Sequence, residues 1–234
     1  MTPTHSDTIE QNAPPALDPA VELERTLREA TTRHGARAVL LCSFQKEESV
    51  LLDELLRLDQ GTADAVRIVT IDTGVIFPET LHTWRAFEQR FGIGIEVFDA
   101  SNAEQPWSGP EHCCSVAKVA ALQHALTGAE GWITGIRREQ GPTRAETELI
   151  ERDEIRGVWK YNPLAHWTDK DLWRRIHERE LPYNPLHDQG YESIGCAPCT
   201  LPGSGREGRW AGTEKTECGL HVDVVSEPTM DTTR

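Results

Sequence analysis

The fold is decided by residues 38–58, which read AVLLCSFQKEESVLLDELLRL. Residues 38–42 form a short apolar run, which predicts a buried strand. Residues 43–49 interrupt this pattern, and apolar side chains recur with helical spacing over residues 50–58. A buried strand, a polar turn and a helix in this order form the repeating unit of doubly wound parallel sheets.

The same alternation of strands and helices continues before and after this unit. Residues 147–161 have mixed spacing that includes short strands, and the chain after Leu181 is loop-like. We therefore predict an α/β fold with a doubly wound, mostly parallel sheet. The further strands are predicted at 66–71, 93–98 and 131–135, and the further helices at 19–34, from Pro78, at 115–126 and at 168–179.

Three segments are predicted along the 234 residues. Residues 1–18 are rich in Thr, Pro, Asp and Asn and are expected to be disordered. Residues 19–200 are expected to form one α/β domain with a single sizeable core. Residues 201–234 are rich in glycine and are expected to form a mobile C-terminal tail.

The composition excludes several classes of function. A formal net charge of −14 argues against general nucleic-acid binding, because phosphates require a basic surface. No run of eighteen apolar residues is present, so no membrane span is expected. The polar N-terminus lacks a secretory signal pattern, which predicts a cytoplasmic protein. In a reducing cytosol, clustered cysteines are more often ligands or catalysts than disulfides.

Four of the six cysteines are spaced as two pairs of potential metal ligands. Cys113 and Cys114 are adjacent, and Cys196 and Cys199 form a Cys-x-x-Cys motif. Four thiolates are the usual complement of a tetrahedral zinc ion or of a four-iron cluster, and spacing alone leaves both open. A helix beginning at the doublet would place Lys118 on the same face as Cys114, where its cation could neutralise an anion.

Cys218 is a candidate nucleophile because it lies close to several basic residues. The nearby basic residues Arg206, Arg209 and His221 would lower the pKa of its thiol, whereas the adjacent Glu217 would oppose ionisation. Lys215 is a further cation in this stretch.

Anion-binding residues are expected at the carboxyl ends of the predicted strands. Residues 43–49, which start at Ser43, form a strand-to-helix turn, although they lack the spacing of a Walker P-loop. Residues 135–144 follow another strand and contain Arg137, Arg138 and Arg144, which suit phosphate or sulfate. Residues 72–74 follow a further strand, so three candidate ligand-binding segments fall at strand ends, although 43–49 alone is equally typical of an ordinary helix N-terminus.

Together these motifs resemble the thioredoxin-dependent 5′-adenylylsulfate (APS) reductases of assimilatory sulfate reduction. The resemblance covers most of residues 36–221. It is most specific in Glu217-Cys218-Gly219-Leu220-His221, and the two cysteine pairs are similar to those of the iron–sulfur branch of the APS/PAPS reductase family. The other matching segments are 43–49, 72–74, 77–80, 134–144 and 191–199.

The resemblance implies an adenine nucleotide alpha-hydrolase-like sheet that carries a [4Fe-4S] cluster on Cys113, Cys114, Cys196 and Cys199. Cys218 would attack the sulfur of APS, forming an S-sulfocysteine from which reduced thioredoxin, or a glutaredoxin-like donor, would release sulfite. The residues implied in substrate binding are Ser43, Lys118, Arg206, Arg209 and His221, together with either Arg137 or Arg144.

Three alternatives remain open at this point. One is a reductase of the 3′-phosphorylated substrate, PAPS. Another is an ATP pyrophosphatase-type enzyme with zinc on the four cysteines, and the third is a non-catalytic, redox-sensing nucleotide-binding module. The oligomeric state is also open, a homo-oligomer included.

Overall fold

The computed structural model describes residues 17–58, 66–101, 116–210, 217 and 220 of the chain. Cys113, Cys114, Cys218 and His221 lie outside this part, as does the predicted disordered segment up to residue 16.

A six-stranded sheet forms the centre of the described structure. The strands run in the order β3-β2-β1-β4-β6-β5, and only β5 is antiparallel to its neighbour. The predicted α/β class with a mostly parallel sheet is therefore confirmed. The strands are β1 (Ala38–Leu41), β2 (Arg67–Asp72), β3 (Glu96–Asp99), β4 (Gly131–Ile133), β5 (Ile150–Asp153) and β6 (Val158–Tyr161).

Five α-helices accompany the sheet in the described residues: α1 (Pro19–His34), α2 (Lys46–Leu56), α3 (Pro78–Phe91), α4 (Val116–Ala125) and α5 (Asp169–Glu178). Helix α2 begins at Lys46, earlier than the predicted start at residue 50. The reason is a capping box, in which Gln45 and Glu48 satisfy each other's backbone N–H groups at the helix start.

Apolar side chains on the two faces of the sheet form two separate cores. Leu40 of β1 belongs to the core covered by α1, α2, α3 and α5. Its neighbour Val39 belongs to the other core, which is covered by α4 and also contains Trp210. This alternation follows from the two-residue period of a strand and confirms the doubly wound arrangement.

Residues 201–210, at the start of the predicted tail, are paired with earlier parts of the chain, and Trp210 packs in the second core. Gly203 pairs with Tyr191 and Arg209 pairs with Thr200. A Cβ at Gly208 would lie 2.0 Å from the carbonyl oxygen of Leu201, so only glycine permits this approach.

No helix in the described part of the chain is long and apolar enough to cross a membrane.

Candidate active site

A cavity of about 510 Å³ opens over the carboxyl ends of β1, β2 and β4. The residues that follow these strands line it, among them Ser43, Thr73 and Thr134. Open parallel sheets bind ligands at this edge, where strand order reverses. The three candidate segments at the strand ends, 43–49, 72–74 and 135–144, therefore meet around one cavity.

Many basic side chains of an otherwise acidic protein line this cavity. Those predicted for substrate binding are Lys118, Arg137, Arg144, Arg206 and Arg209. Carboxylates lie among them, so the ability of each cation to meet a ligand depends on its protein partners.

Ser43 lies on the cavity wall, and its hydroxyl donates to Glu48 Oε2 at 3.0 Å. The same carboxylate oxygen accepts from the backbone N–H of Gln45 at 3.0 Å. Gln45 in turn accepts through Oε1 from the backbone N–H of Ile194 at 2.7 Å. The turn before α2 is thus tied to the loop that carries the Cys-x-x-Cys motif.

Arg137 is almost fully buried at 3% exposure and is engaged by several protein acceptors. Its Nε donates to Glu47 at 3.0 Å, Nη2 donates to Asp169 at 2.6 Å, and Nη1 donates to Glu139 at 3.0 Å and to the carbonyl of Trp167. This guanidinium therefore joins the start of α2 to the start of α5 at the cavity wall.

The charge of Arg137 also fixes the ionisation of Glu47. Burial disfavours the charged form of this carboxyl, but Arg137 and Lys46 outweigh burial, so the pKa of Glu47 is lowered. The acidic residues at the start of α2, which by themselves oppose anion binding, are thus turned towards protein cations or hydrogen-bond donors.

Glu48 has the opposite shift. Burial, reinforced by the neighbouring charge of Glu47, raises the pKa of Glu48 to about 8. The unfolded chain ionises this carboxyl near its ordinary pKa of about 4. Folding therefore favours the protonated form, and the associated stability is lost as pH rises between those two values.

We expect Glu48→Gln to flatten the pH dependence of stability, because a neutral amide keeps the shape of protonated Glu48 without titrating. The melting temperature of the wild type should fall more steeply than that of the variant between about pH 5 and pH 8. Thermal melts of both proteins across this range measure the difference. If the melting temperatures of the wild type and the variant changed equally with pH, the raised pKa of Glu48 would be contradicted.

Arg144 and Arg206 hold the carboxylate of Glu217 between them. Arg144 donates from Nε at 2.9 Å and from Nη2 at 2.8 Å, and Arg206 donates from Nη2 at 2.6 Å. The hydroxyl of Thr143 adds a contact at 3.2 Å. Glu217 is buried, so this is a charge-assisted cluster shielded from water.

Arg209 stacks on the ring of Trp210, with its guanidinium carbon 4.7 Å from the ring centroid. Its Nη1 donates to the carbonyl of Ile194 at 3.1 Å. A Cβ at Gly195 would lie 2.6 Å from that guanidinium carbon, so any side chain at this position would displace Arg209 from its observed contacts. The side chain is held flat along the cavity wall.

Cys196 and Cys199 occupy a short 3-10 turn beside the cavity, and both are buried. Cys196 Sγ lies 3.2 Å from the hydroxyl of Thr73, which directly follows β2. Neither forms a disulfide. Among the residues that the structure describes, no group of three or more His, Cys, Asp or Glu side chains is arranged to hold a metal ion.

Lys118 lies in the first turn of α4, partly buried, and lines the same cavity as Cys196. The cysteine doublet directly precedes this helix in the sequence but falls outside the described residues. Lys118 and Cys196 therefore line one cavity.

Sequence reasoning did not find the acceptors that hold the arginines, namely Asp169, Glu139 and Gln140. Gln140 accepts from Arg144 Nη1 at 2.5 Å, and Asp169 also pairs with Lys46 at 2.7 Å. Asp169 begins α5, and Glu139 and Gln140 lie in segment 135–144, where only the arginines were singled out from sequence. One usable signal was the Gln45-x-x-Glu48 spacing of the capping box.

Comparison with known proteins shows which family this chain is similar to. Residues 37–202 match the family model of the phosphoadenosine phosphosulfate reductase domain. An adenosine 5′-phosphosulfate reductase of Bacillus pumilus is 44% identical over 83% of this chain and 88% of its own length. A phosphoadenosine 5′-phosphosulfate reductase of Gloeobacter violaceus is 42% identical over 85% of this chain and 88% of its own length.

A solved structure shows the same architecture. The phosphate complex of phosphoadenylyl-sulfate reductase from Candida auris superposes with a TM-score of 0.66 at 25% sequence identity, covering 79% of this chain and 91% of the other. The predicted fold class is confirmed by this likeness. With the family model matched over residues 37–202, the chain belongs to the APS and PAPS reductase family.

Proposed function

We propose that this chain reduces APS to sulfite and AMP in assimilatory sulfate reduction, with Cys218 as nucleophile and thioredoxin or a similar dithiol protein as reductant. The observation that carries the proposal is the cavity at the strand ends, where Lys118, Arg206 and Arg209 converge beside Cys196. Relatives named adenosine 5′-phosphosulfate reductase, such as the one from Bacillus pumilus, support the choice of substrate.

The proposed reaction has two steps. The thiolate of Cys218 attacks the sulfur of APS, an S–S bond forms, and the bond from sulfur to the phosphate oxygen breaks with release of AMP. A thiolate of the reduced donor then attacks the Cys218 sulfur, sulfite leaves, and the second donor thiol closes the donor disulfide. The two electrons that convert the sulfate group to sulfite come from the dithiol.

The basic side chains that line the cavity neutralise negative charge in the first step. Both the thiolate and the sulfate group are negative, so attack requires cations that neutralise the sulfate oxygens. Lys118 provides this charge from α4, and Arg206 and Arg209 provide it from the stretch 201–210. The part of the cavity formed by Leu41, Ile71 and Ile194 is apolar and would strengthen these interactions by excluding water.

We also propose that Cys113, Cys114, Cys196 and Cys199 hold a [4Fe-4S] cluster. Supporting this, the Cys196 and Cys199 thiols lie on one turn and are buried, as cluster ligands require. When bound, a cluster would supply a local charge that orients the anionic substrate and Lys118. It need not exchange electrons, since the donor dithiol supplies both.

Anaerobically purified protein is expected to be brown and to contain iron and acid-labile sulfide. Cys196→Ser should lose most of both, because a hydroxyl is a poor replacement for a thiolate ligand. Cys42→Ala is the matched control: Cys42 is buried in the first core and should leave the iron content unchanged. A colourless wild type that contains zinc would contradict the cluster and favour the pyrophosphatase-type alternative.

Parallel assays with APS and PAPS test the substrate, since one relative at 42% identity is named as a PAPS reductase. We expect AMP and sulfite from APS in the presence of reduced thioredoxin, with a clearly higher kcat/KM than for PAPS. A preference for PAPS would change the proposed substrate, and the two-step reaction through Cys218 would stay the same. Absence of turnover with both would overturn the proposal and favour a nucleotide-binding module.

A further inference from the structure

Glu217 is the residue directly before Cys218, and its side chain is buried and hydrogen-bonded to three other residues. Its carboxylate receives two hydrogen bonds from Arg144, one from Arg206 and one from Thr143, and only 8% of the residue is exposed. A bidentate arginine contact fixes orientation as well as position. The chain is therefore anchored one residue ahead of the proposed nucleophile.

A second anchor follows Cys218. Leu220 is 5% exposed, packs in the core that contains Cys199 and Trp210, and lines the active-site cavity. Neighbouring Cα atoms are about 3.8 Å apart across a trans peptide bond. Glu217 and Leu220, three positions apart, therefore both have defined contacts beside that cavity.

We propose that Glu217 is a positioning residue for Cys218, because its carboxylate docks on Arg144 and Arg206 beside the cavity. This inference rests on the proposed function for the identity of the nucleophile. It assigns Arg144 a different task from the substrate contact implied by the resemblance.

The contacts of Arg144 support that task. Its Nε and Nη2 are engaged by Glu217, and its Nη1 by Gln140. Glu217 is absent from the wall of the main cavity but lines a smaller adjoining one together with Arg144. The guanidinium of Arg144 thus separates the substrate cavity from the docked carboxylate.

Docking also reduces an unfavourable charge next to the thiol. A bare carboxylate beside Cys218 would oppose formation of the thiolate. Because two guanidinium groups pair with Glu217, its charge is largely neutralised where the thiolate must form. One ionic contact thereby positions the segment and limits the electrostatic penalty of having Glu217 there.

The test compares Glu217→Gln and Glu217→Asp with the wild-type holoenzyme by two measurements. The first is the rate at which trypsin releases the peptide 216–234 from the native protein by cleavage after Lys215. Loss of the charged contact should accelerate this release about tenfold or more, because breaking one side of a buried ion pair strongly favours the undocked state. The second measurement is the split between kcat and KM for APS.

We expect Glu217→Gln to lower kcat by about 10- to 100-fold, the usual result of a misplaced reacting group, with little change in KM. Glu217→Asp should recover part of both effects, since it keeps the charge. The double variant Arg144→Gln with Glu217→Gln should be no worse than the more impaired single variant, because both remove the same contact.

Glu207→Gln is the matched control, since Glu207 lies in the same stretch and is exposed. It should change neither the rate of peptide release nor kcat. An unchanged release rate in Glu217→Gln, or a loss of activity that appears in KM alone, would overturn the proposal. If the wild type fails to turn over APS, the proposed function fails, while the trypsin comparison still decides whether Glu217 docks the segment.

Discussion

Cys218→Ser is expected to abolish the APS-dependent release of AMP, lowering its rate by about 10³-fold or more. A serine hydroxyl is essentially un-ionised at neutral pH and cannot form the S–S bond to the sulfate sulfur. AMP binding should be retained, because the cations that line the cavity, such as Lys118 and Arg209, are untouched. Single-turnover assays without donor measure AMP release.

Mass spectrometry of the same samples identifies the intermediate. In wild-type protein mixed with APS but no donor, the peptide 216–234 should gain the mass of one SO₃ group, and Cys218→Ser should gain none. Cys42→Ala is expected to behave as the wild type, since burial raises the pKa of the Cys42 thiol and keeps it unreactive. AMP release by Cys218→Ser at the wild-type rate would refute the assignment of the nucleophile.

Arg137→Ala is expected to destabilise the protein by about 3–5 kcal/mol, the usual cost of leaving buried charges without their partner. The variant would strand Glu47, which is buried, and deprive Asp169 of its contact at 2.6 Å. For a chain of this size such a loss lowers the melting temperature by roughly 6 to 20 °C. Thermal or urea unfolding of the purified variant measures the change.

Arg138→Ala provides the comparison for this prediction. Arg138 is the next residue along the chain, but its side chain is 37% exposed and lies 3.5 Å from an exposed Glu148. An exposed pair of this kind contributes less than about 1 kcal/mol. Equal destabilisation by the two substitutions would contradict the prediction that the buried contacts of Arg137 with Glu47 and Asp169 stabilise the protein.

The architecture was accessible from sequence because its signals are local. The apolar run before Ser43 and the helical spacing that follows each depend on neighbours within a few residues, and both elements formed as predicted. The start of α2 was wrong by four residues, because the capping box of Gln45 and Glu48 extends the helix into a polar segment. The Cys196-x-x-Cys199 turn beside the cavity was likewise visible as a short motif.

The partners of the individual arginines could not be predicted from local sequence patterns. Arg137 and Arg144 belong to one basic segment and are equivalent as sequence, yet one joins α2 to α5 and the other receives Glu217. Their partners come from positions up to 90 residues away. No local periodicity encodes such a pairing.

The alternation of strands and helices and the chemical types at the strand ends could therefore be predicted from the chain, because strand and helix periods are short-range properties. Only folding showed that Arg137, Arg144 and Arg206 line the cavity while protein carboxylates hold them. It also decided that Glu217, an adjacent like charge in the sequence, is paired by Arg144 and Arg206. Ionic contacts depend on distance in space, and folding sets that distance.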